Sequence, residues 1–340
     1  YLDGLSELSP RAAAALARRK GEVNQYSKEK TNDLILNGLT SISVETAEAL
    51  AGYEGYLMLD GLARLPDDVL AVLAKFKGEK LDLDGLQSIS DMGLATLATS
   101  KAEGLSLGLA RITVAQAKIL EAFKGKLSLS VKHLSAEVAA VLGERRGELY
   151  LECLPSLSAG AAEGLARHRG YLSLNGLERL SADAAKKLAK HKGDIDLSEV
   201  KKLAKEAAKA LAKVEGVVRL NSLESMSAGV AIELAKRPDR LDLNGLTCLT
   251  NGVAEAISRR PGHVSLHDVK DLTDKQVEIL LPKYAEGSLS LISRFGESRQ
   301  IMERAWEEAR NNGRWPFRAN GRKRAAPTTG VHRTNKGRKA

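Results

Sequence analysis

Cysteine, aromatic residues and long apolar runs are all scarce in this 340-residue chain, and each scarcity closes off a class of protein. Two cysteines cannot build a disulfide framework. Cys153 and Cys248 fall four units apart in the repeat register of the chain. At about 4.8 Å per strand that is roughly 19 Å, beyond disulfide reach. Both are expected to be buried or half-buried small apolar residues. No stretch of about 18 consecutive apolar residues occurs, so no segment can cross a bilayer as a helix. Aromatics make up 4% of residues while apolar types reach 43%. That balance suits many similar Leu and Ala layers better than one large mixed core.

Catalytic signatures are missing too. There is no phosphate-cradling glycine loop, no H-E-x-x-H and no G-x-S-x-G. His263 and His267 lie four apart on a strand, about 13 Å, too far to chelate one ion. His168 and His191 sit between cations, in Arg-His-Arg and Lys-His-Lys. Asp82 and Asp84 share a strand face, but two carboxylates fall short of a calcium shell. No catalytic residue, metal, cofactor or small-molecule substrate is expected.

Acidic residues are also missing from one place. Residues 1–312 carry equal numbers of acids and bases, whereas 313–340 carry the whole net charge of +9 and no acid. Its cations are Arg314, Arg318, Arg322, Lys323, Arg324, Arg333, Lys336, Arg338 and Lys339. Apart from Trp315 and Phe317 this tail has little to bury and is expected to be disordered. A basic arm of this kind suits nucleic acid or another polyanion, because each cation displaces counterions from phosphates.

What the chain does have is a repeat, L-x-L-x-G-L-x-x-(L/I)-(S/T/P) leading into an Ala/Leu-rich stretch. Clear copies begin at Leu34, Leu57, Leu81, Leu172 and Leu241. The first apolar position recurs at 34, 57, 81, 105, 127, 149, 172, 195, 218, 241, 264 and 289. Every step lies within 22–25 residues, so the register is secure. Within a unit, L-x-L alternates with period two and reads as a short strand. The Ser, Thr or Pro-Asp after the turn is helix N-cap chemistry. The helix it opens has only two or three turns, too short to stand alone, so each unit needs its neighbours. Asn-Gly and Asp-Gly would ordinarily suggest hairpins. The residues after these pairs carry a cap and helical spacing, so the Gly is read instead as a sharp exit from the strand.

The pattern resembles the leucine-rich repeat family, in a bacterial-style variant, over about residues 34–293. The resemblance implies an α/β solenoid, with short parallel strands on a concave face, short helices on the convex face and a protein-interaction role. Where the familiar motif places an Asn that ladders between backbones, this chain has Leu39, Leu62, Leu86, Leu177 or Leu246. Curvature and internal hydrogen bonding are therefore expected to differ. The chain divides into four regions: a truncated first repeat plus insertion (1–33), a solenoid of 12 units (34–293), a capping helix (294–312) and the tail (313–340). Because Tyr1 opens inside a repeat, a preceding segment is expected, and with it the reading that this is the repeat half of a larger enzyme. The compartment stays open.

On the family pattern the two x positions of L-x-L-x line the concave face. The candidate contacts are Asp60, Asp82, Asp84, Tyr150, Glu152, Asn175, Asp196, Arg219, Asn221, Asp242, Asn244 and His267. This face reads as polar, small and mildly acidic. Among them only Tyr150 and Arg219 are residue types that dominate binding energy at interfaces. A second regularity closes each helix with cations, among them Arg145-Arg146, Lys236-Arg237 and Arg259-Arg260. The helix macrodipole accounts for them, and stacked in register they are expected to form an exposed basic edge that draws anions. The leading expectation is a protein-interaction scaffold, and the alternative is polyanion capture by the tail and this edge.

Overall fold

The computed structural model describes residues 4–18, 22–23, 30–31, 33–291 and 297–312. From Asp33 onward strand and helix alternate, and each of the twelve positions read from the repeat lies in a strand. The strands from Asp33–Ile35 to Val218–Arg219 form one nine-stranded parallel sheet. Leu241–Asp242, Val264–Leu266 and Leu289–Leu291 form a second sheet of three. Leu34, Leu57, Leu81, Leu105 and Leu127 pair in succession, each directly beside the next. The register step is thus one whole repeat, and the fold is a leucine-rich-repeat-like solenoid.

Alternation explains why such short strands hold. In the Lys80–Leu83 strand both Leu81 and Leu83 are fully buried, as are their counterparts in the neighbouring units. The Leu that stands where the familiar motif has Asn is buried as well. Its amide closes a tight turn on the second strand Leu: Leu39 donates to the Leu36 carbonyl at 3.1 Å and Leu86 to Leu83 at 3.0 Å. The turn therefore satisfies its own backbone, and this position is free to fill the core.

Helix starts agree closely with the sequence. Ser43, Ser90, Ser135, Ser158, Ser181 and Ser227 each accept from a backbone N–H three residues on. Thr113 and Thr273 form full capping boxes with Gln116 and Gln276. The cap at Pro66 has no such side chain. There Asp67 accepts instead from Ser90 Oγ of the next unit, at 2.6 Å. These helices bury Ala and Leu against one core running through the array. Beyond the last strand, Glu297–Asn311 is a helix with Met302 fully buried and Ile301, Ala305 and Trp306 packed on that core. At the other end Glu22–Val23 pairs antiparallel with Lys30–Thr31, within the region read as an insertion.

Candidate binding face and the buried edge column

Three side chains per strand point away from the core: the residue before the first Leu and the two x residues. They differ in access. The first x is crowded by strands on both sides, so Asp82, Ser106, Ser173, Asp196 and Ser265 are buried. Asp82 and Asp196, expected as exposed contacts, are therefore inside the surface. Each is covered by a residue from the position before the first Leu: Lys80 of the same strand reaches Asp82 at 2.6 Å, and the Tyr171 hydroxyl of the preceding repeat donates to Asp196 at 2.8 Å.

The second x carries a ladder between repeats. The Asp60 amide donates to Asn37 Oδ1 at 3.1 Å, and the Asp84 amide to Asp60 Oδ1 at 3.2 Å. Further along, the Ser198 amide donates to Asn175 Oδ1 at 2.9 Å and Asn244 Nδ2 to Asn221 Oδ1 at 3.2 Å. The hydrogen-bond ladder thus moves from the familiar Asn position to the strand face. Asn175, Asn221 and Asn244, read as contact residues, hold the array together. Glu152 stays exposed and accepts from Ser173 Oγ at 3.3 Å. Asp242 pairs with Arg240 at 2.7 Å, and His267 sits 2.7 Å from Ser265 Oγ.

Asp60, Asp82 and Asp84 meet on neighbouring strands. Burial, then the Asp82 charge, pushes the Asp60 carboxyl up to about 6, and burial raises Asp84 as well. A carboxyl that prefers its proton in the folded state releases stability as that proton leaves. Asp60→Asn is therefore expected to stabilise the protein at pH 7 and to lose its advantage as pH falls toward 4. Thermal melts of both proteins across that range check it, and a benefit that persists at low pH contradicts it. Asn stands at this position in several other units, so the replacement fits the ladder. Among the described residues no group of three His, Cys, Asp or Glu is placed to hold a metal ion.

The half-buried centre of the face is aromatic. The Tyr150 and Tyr171 rings stand 5.4 Å apart, tilted by 52°. The Arg219 guanidinium lies 5.5 Å over the Tyr171 ring and 3.6 Å from Asp194. The Tyr150 hydroxyl donates to Glu148, which also pairs with Lys126 at 3.6 Å. Burial and the neighbouring carboxylates raise both phenols, so they stay protonated donors. Tyr171 escaped the sequence reading because only the x positions were assigned to the face. It precedes Leu172, and period two places it beside Ser173 and Asn175. Next to this group, Tyr56, Lys80, Gly104, Lys126, Tyr150 and Glu152 surround a depression of about 260 Å³.

Behind the expected basic edge, whose cations such as Lys75, Lys124, Arg146, Arg169, Lys190 and Arg259 are exposed, runs a buried column. One position per repeat, at 53, 76, 100, 123, 145, 168, 191, 214, 237, 260 and 283, packs inward just after the helix or, at 283, in its last turn. Tyr53, Phe76, Phe123 and Val214 fill it with apolar groups. At most polar members the side chain binds carbonyls of the preceding repeat, whereas Arg260 donates to the His263 carbonyl of its own unit at 2.8 Å. Ser100 Oγ donates to the Phe76 carbonyl, and Arg145 to those of Phe123 and Gly125. His168 Nδ1 meets the Arg145 carbonyl at 2.9 Å and His191 Nε2 the Gly170 carbonyl at 3.2 Å. A carbonyl only accepts, so those ring nitrogens carry the protons. Arg237 reaches the carbonyls of Leu211, Val214 and Gly216, and Lys283 those of Arg260 and Gly262. Arg145, Arg237 and Arg260 are thus buried, contrary to expectation, and unavailable to an anion. Burial lowers Arg145 and Arg260 to about 10, which leaves them charged at neutral pH, and lowers both histidines, which are neutral there.

Both cysteines are exposed rather than buried. Cys153 replaces the turn glycine and Cys248 occupies a turn x position, and side chains there leave the stack. The nine tail cations lie outside the described residues.

No protein-family model matches the chain, and no curated protein matches it either. Among solved structures it is similar to an internalin from Listeria monocytogenes, at 15% identity and a TM-score of 0.44, over 78% of this chain and 74% of that one. The assignment as a leucine-rich-repeat-like solenoid rests on the register and pairing of this chain's own strands.

Proposed function

We propose that the chain is a non-enzymatic interaction scaffold that receives a polypeptide partner on its strand face, centred on Tyr150, Tyr171 and Arg219. Residues 34–293 form the scaffold in this reading, and the helix within 294–312 closes its last unit. The observation that carries it is the aromatic–guanidinium group itself. Tyr and Arg supply most hot-spot energy at protein interfaces, and here they stack at 5.4 and 5.5 Å in the middle of an otherwise small, polar face. Their hydroxyls and guanidinium are already oriented by Glu148, Asp196 and Asp194, so little ordering remains to oppose binding. Glu152 supplies an exposed polar contact nearby.

A second reading, polyanion capture, draws on the tail and on the exposed edge cations such as Arg146, Arg169 and Lys190, without the buried Arg145, Arg237 and Arg260. One experiment separates the two. The triple variant Tyr150→Ala, Tyr171→Ala, Arg219→Ala is compared with the parent for retention of interacting proteins at about 50 and 200 mM salt. We expect loss of a specific partner from the variant, modest sensitivity to salt and an unchanged melting profile. Retention that ignores the three substitutions but collapses with salt favours polyanion capture.

A further inference from the structure

Gly104 differs from the glycines around it. At Gly85 and Gly108 an added Cβ would lie 1.5 and 1.7 Å from the backbone oxygens of Asp60 and Asp84, so a side chain there requires the backbone to shift. At Gly104 the nearest atom is Lys80 Cγ at 3.3 Å, the middle of a flexible side chain, and φ is not in the left-handed region. Backbone geometry therefore does not demand glycine at 104. What its missing side chain creates is space. In the column of residues that precede each strand, its neighbours in register are Lys80 and Lys126, and the gap between them is the 260 Å³ depression.

The charges around that gap are unequal in freedom. Lys80 is held by Asp82 at 2.6 Å, and Lys126 lies 3.6 Å from Glu148. Neither of those carboxylates lines the depression. Glu79, Glu103 and Glu152 do line it, and none of the three forms an ion pair among the described residues. Tyr56 and Tyr150 add aromatic walls, which favour a cation over their faces. The pocket is thus negatively biased, part-aromatic and of side-chain size.

We propose that this depression is a specificity pocket for one basic side chain, an arginine or lysine, presented by the polypeptide partner. The inference rests on the protein-scaffold reading above and names the partner's chemistry at one end of the same face. In the bound state the cationic head lies among Glu79, Glu103 and Glu152, and its methylene stem lies against the tyrosine rings over Gly104.

The test uses the full chain and two small probes, N-acetyl-arginine amide and N-acetyl-glutamate amide, titrated by amide NMR. The expected result is a saturable shift of the Gly104, Ser128 and Tyr150 amides with the arginine probe and none with the glutamate probe. Gly104→Leu, which fills the space at low steric cost, and Glu79→Gln with Glu103→Gln should each weaken the arginine probe by about tenfold or more. Met92→Ala, at an exposed position on the helix side that does not line the pocket, should leave that affinity unchanged. No saturable shift, equal shifts from both probes, or an arginine response that survives Gly104→Leu overturns the pocket. Partner binding that needs Tyr171 and ignores the Gly104 and Glu79/Glu103 variants overturns it too, while leaving the scaffold reading intact.

Discussion

Arg237→Ala is expected to cost about 3–5 kcal/mol of unfolding free energy, a large effect for a single surface-edge arginine. The side chain is 1% exposed and serves the carbonyls of Leu211, Val214 and Gly216. Each carbonyl left buried without a partner costs roughly 1–3 kcal/mol, and water entering the vacated space relieves part of that. The Asp239 partner, 3.2 Å away, is 44% exposed and returns to solvent at little cost. Because a solenoid is stabilised by nearest-neighbour contacts, hydrogen exchange should accelerate first in the units around residues 211–240. Arg237→Lys should recover much of the loss, since Lys283 already caps two carbonyls at the equivalent place. Chemical denaturation of the three proteins measures this. A cost below about 1 kcal/mol for Arg237→Ala means that the column is not structural.

Gly85→Val is the second large effect. Its first added carbon would lie 1.5 Å from the Asp60 oxygen and 2.5 Å from the Asp60 carbonyl carbon. Backbone cannot yield as a flexible side chain does, so two repeats must separate locally. A cost of at least about 3 kcal/mol is expected. Gly104→Ala, one repeat away, meets Lys80 Cγ at 3.3 Å and the Glu79 carbonyl oxygen at an ordinary 3.5 Å, and should fall within about 1 kcal/mol of the parent. The pair is informative because the first added carbon runs into backbone at 85 and into a flexible side chain at 104. Equal destabilisation by the two would contradict this packing.

Much of the fold was legible because the repeat states it many times over. The L-x-L pairs at 22–25-residue intervals marked the strands, and Ser or Thr before each Ala/Leu stretch marked the helix starts. The buried column was legible in principle and misread. Arg145, Arg237 and Arg260 look like ordinary helix-end cations one unit at a time. Aligned by the repeat, they occupy the position that holds Tyr53, Phe76 and Phe123, and a place that accepts phenylalanine is an interior place. The same alignment marks His168 and His191 as inward-facing. The cysteines were misjudged in the opposite direction, because residue type outweighed position at two turn sites. On the strand face, the asparagines looked free to bind a partner, but only three-dimensional stacking brings Asn175 within 2.9 Å of the Ser198 amide. The depression beside Gly104 depends on which neighbours flank a missing side chain, and no single repeat contains that information.

The most direct test of the scaffold account places a photo-crosslinking amino acid at Tyr171 on the strand face and, separately, at Met92, which is 73% exposed on the helix side. Irradiation in the native extract should give a discrete polypeptide adduct from position 171 and none from position 92. Adducts from Met92 alone, or adducts only with nucleic acid, would contradict a partner site on the strands.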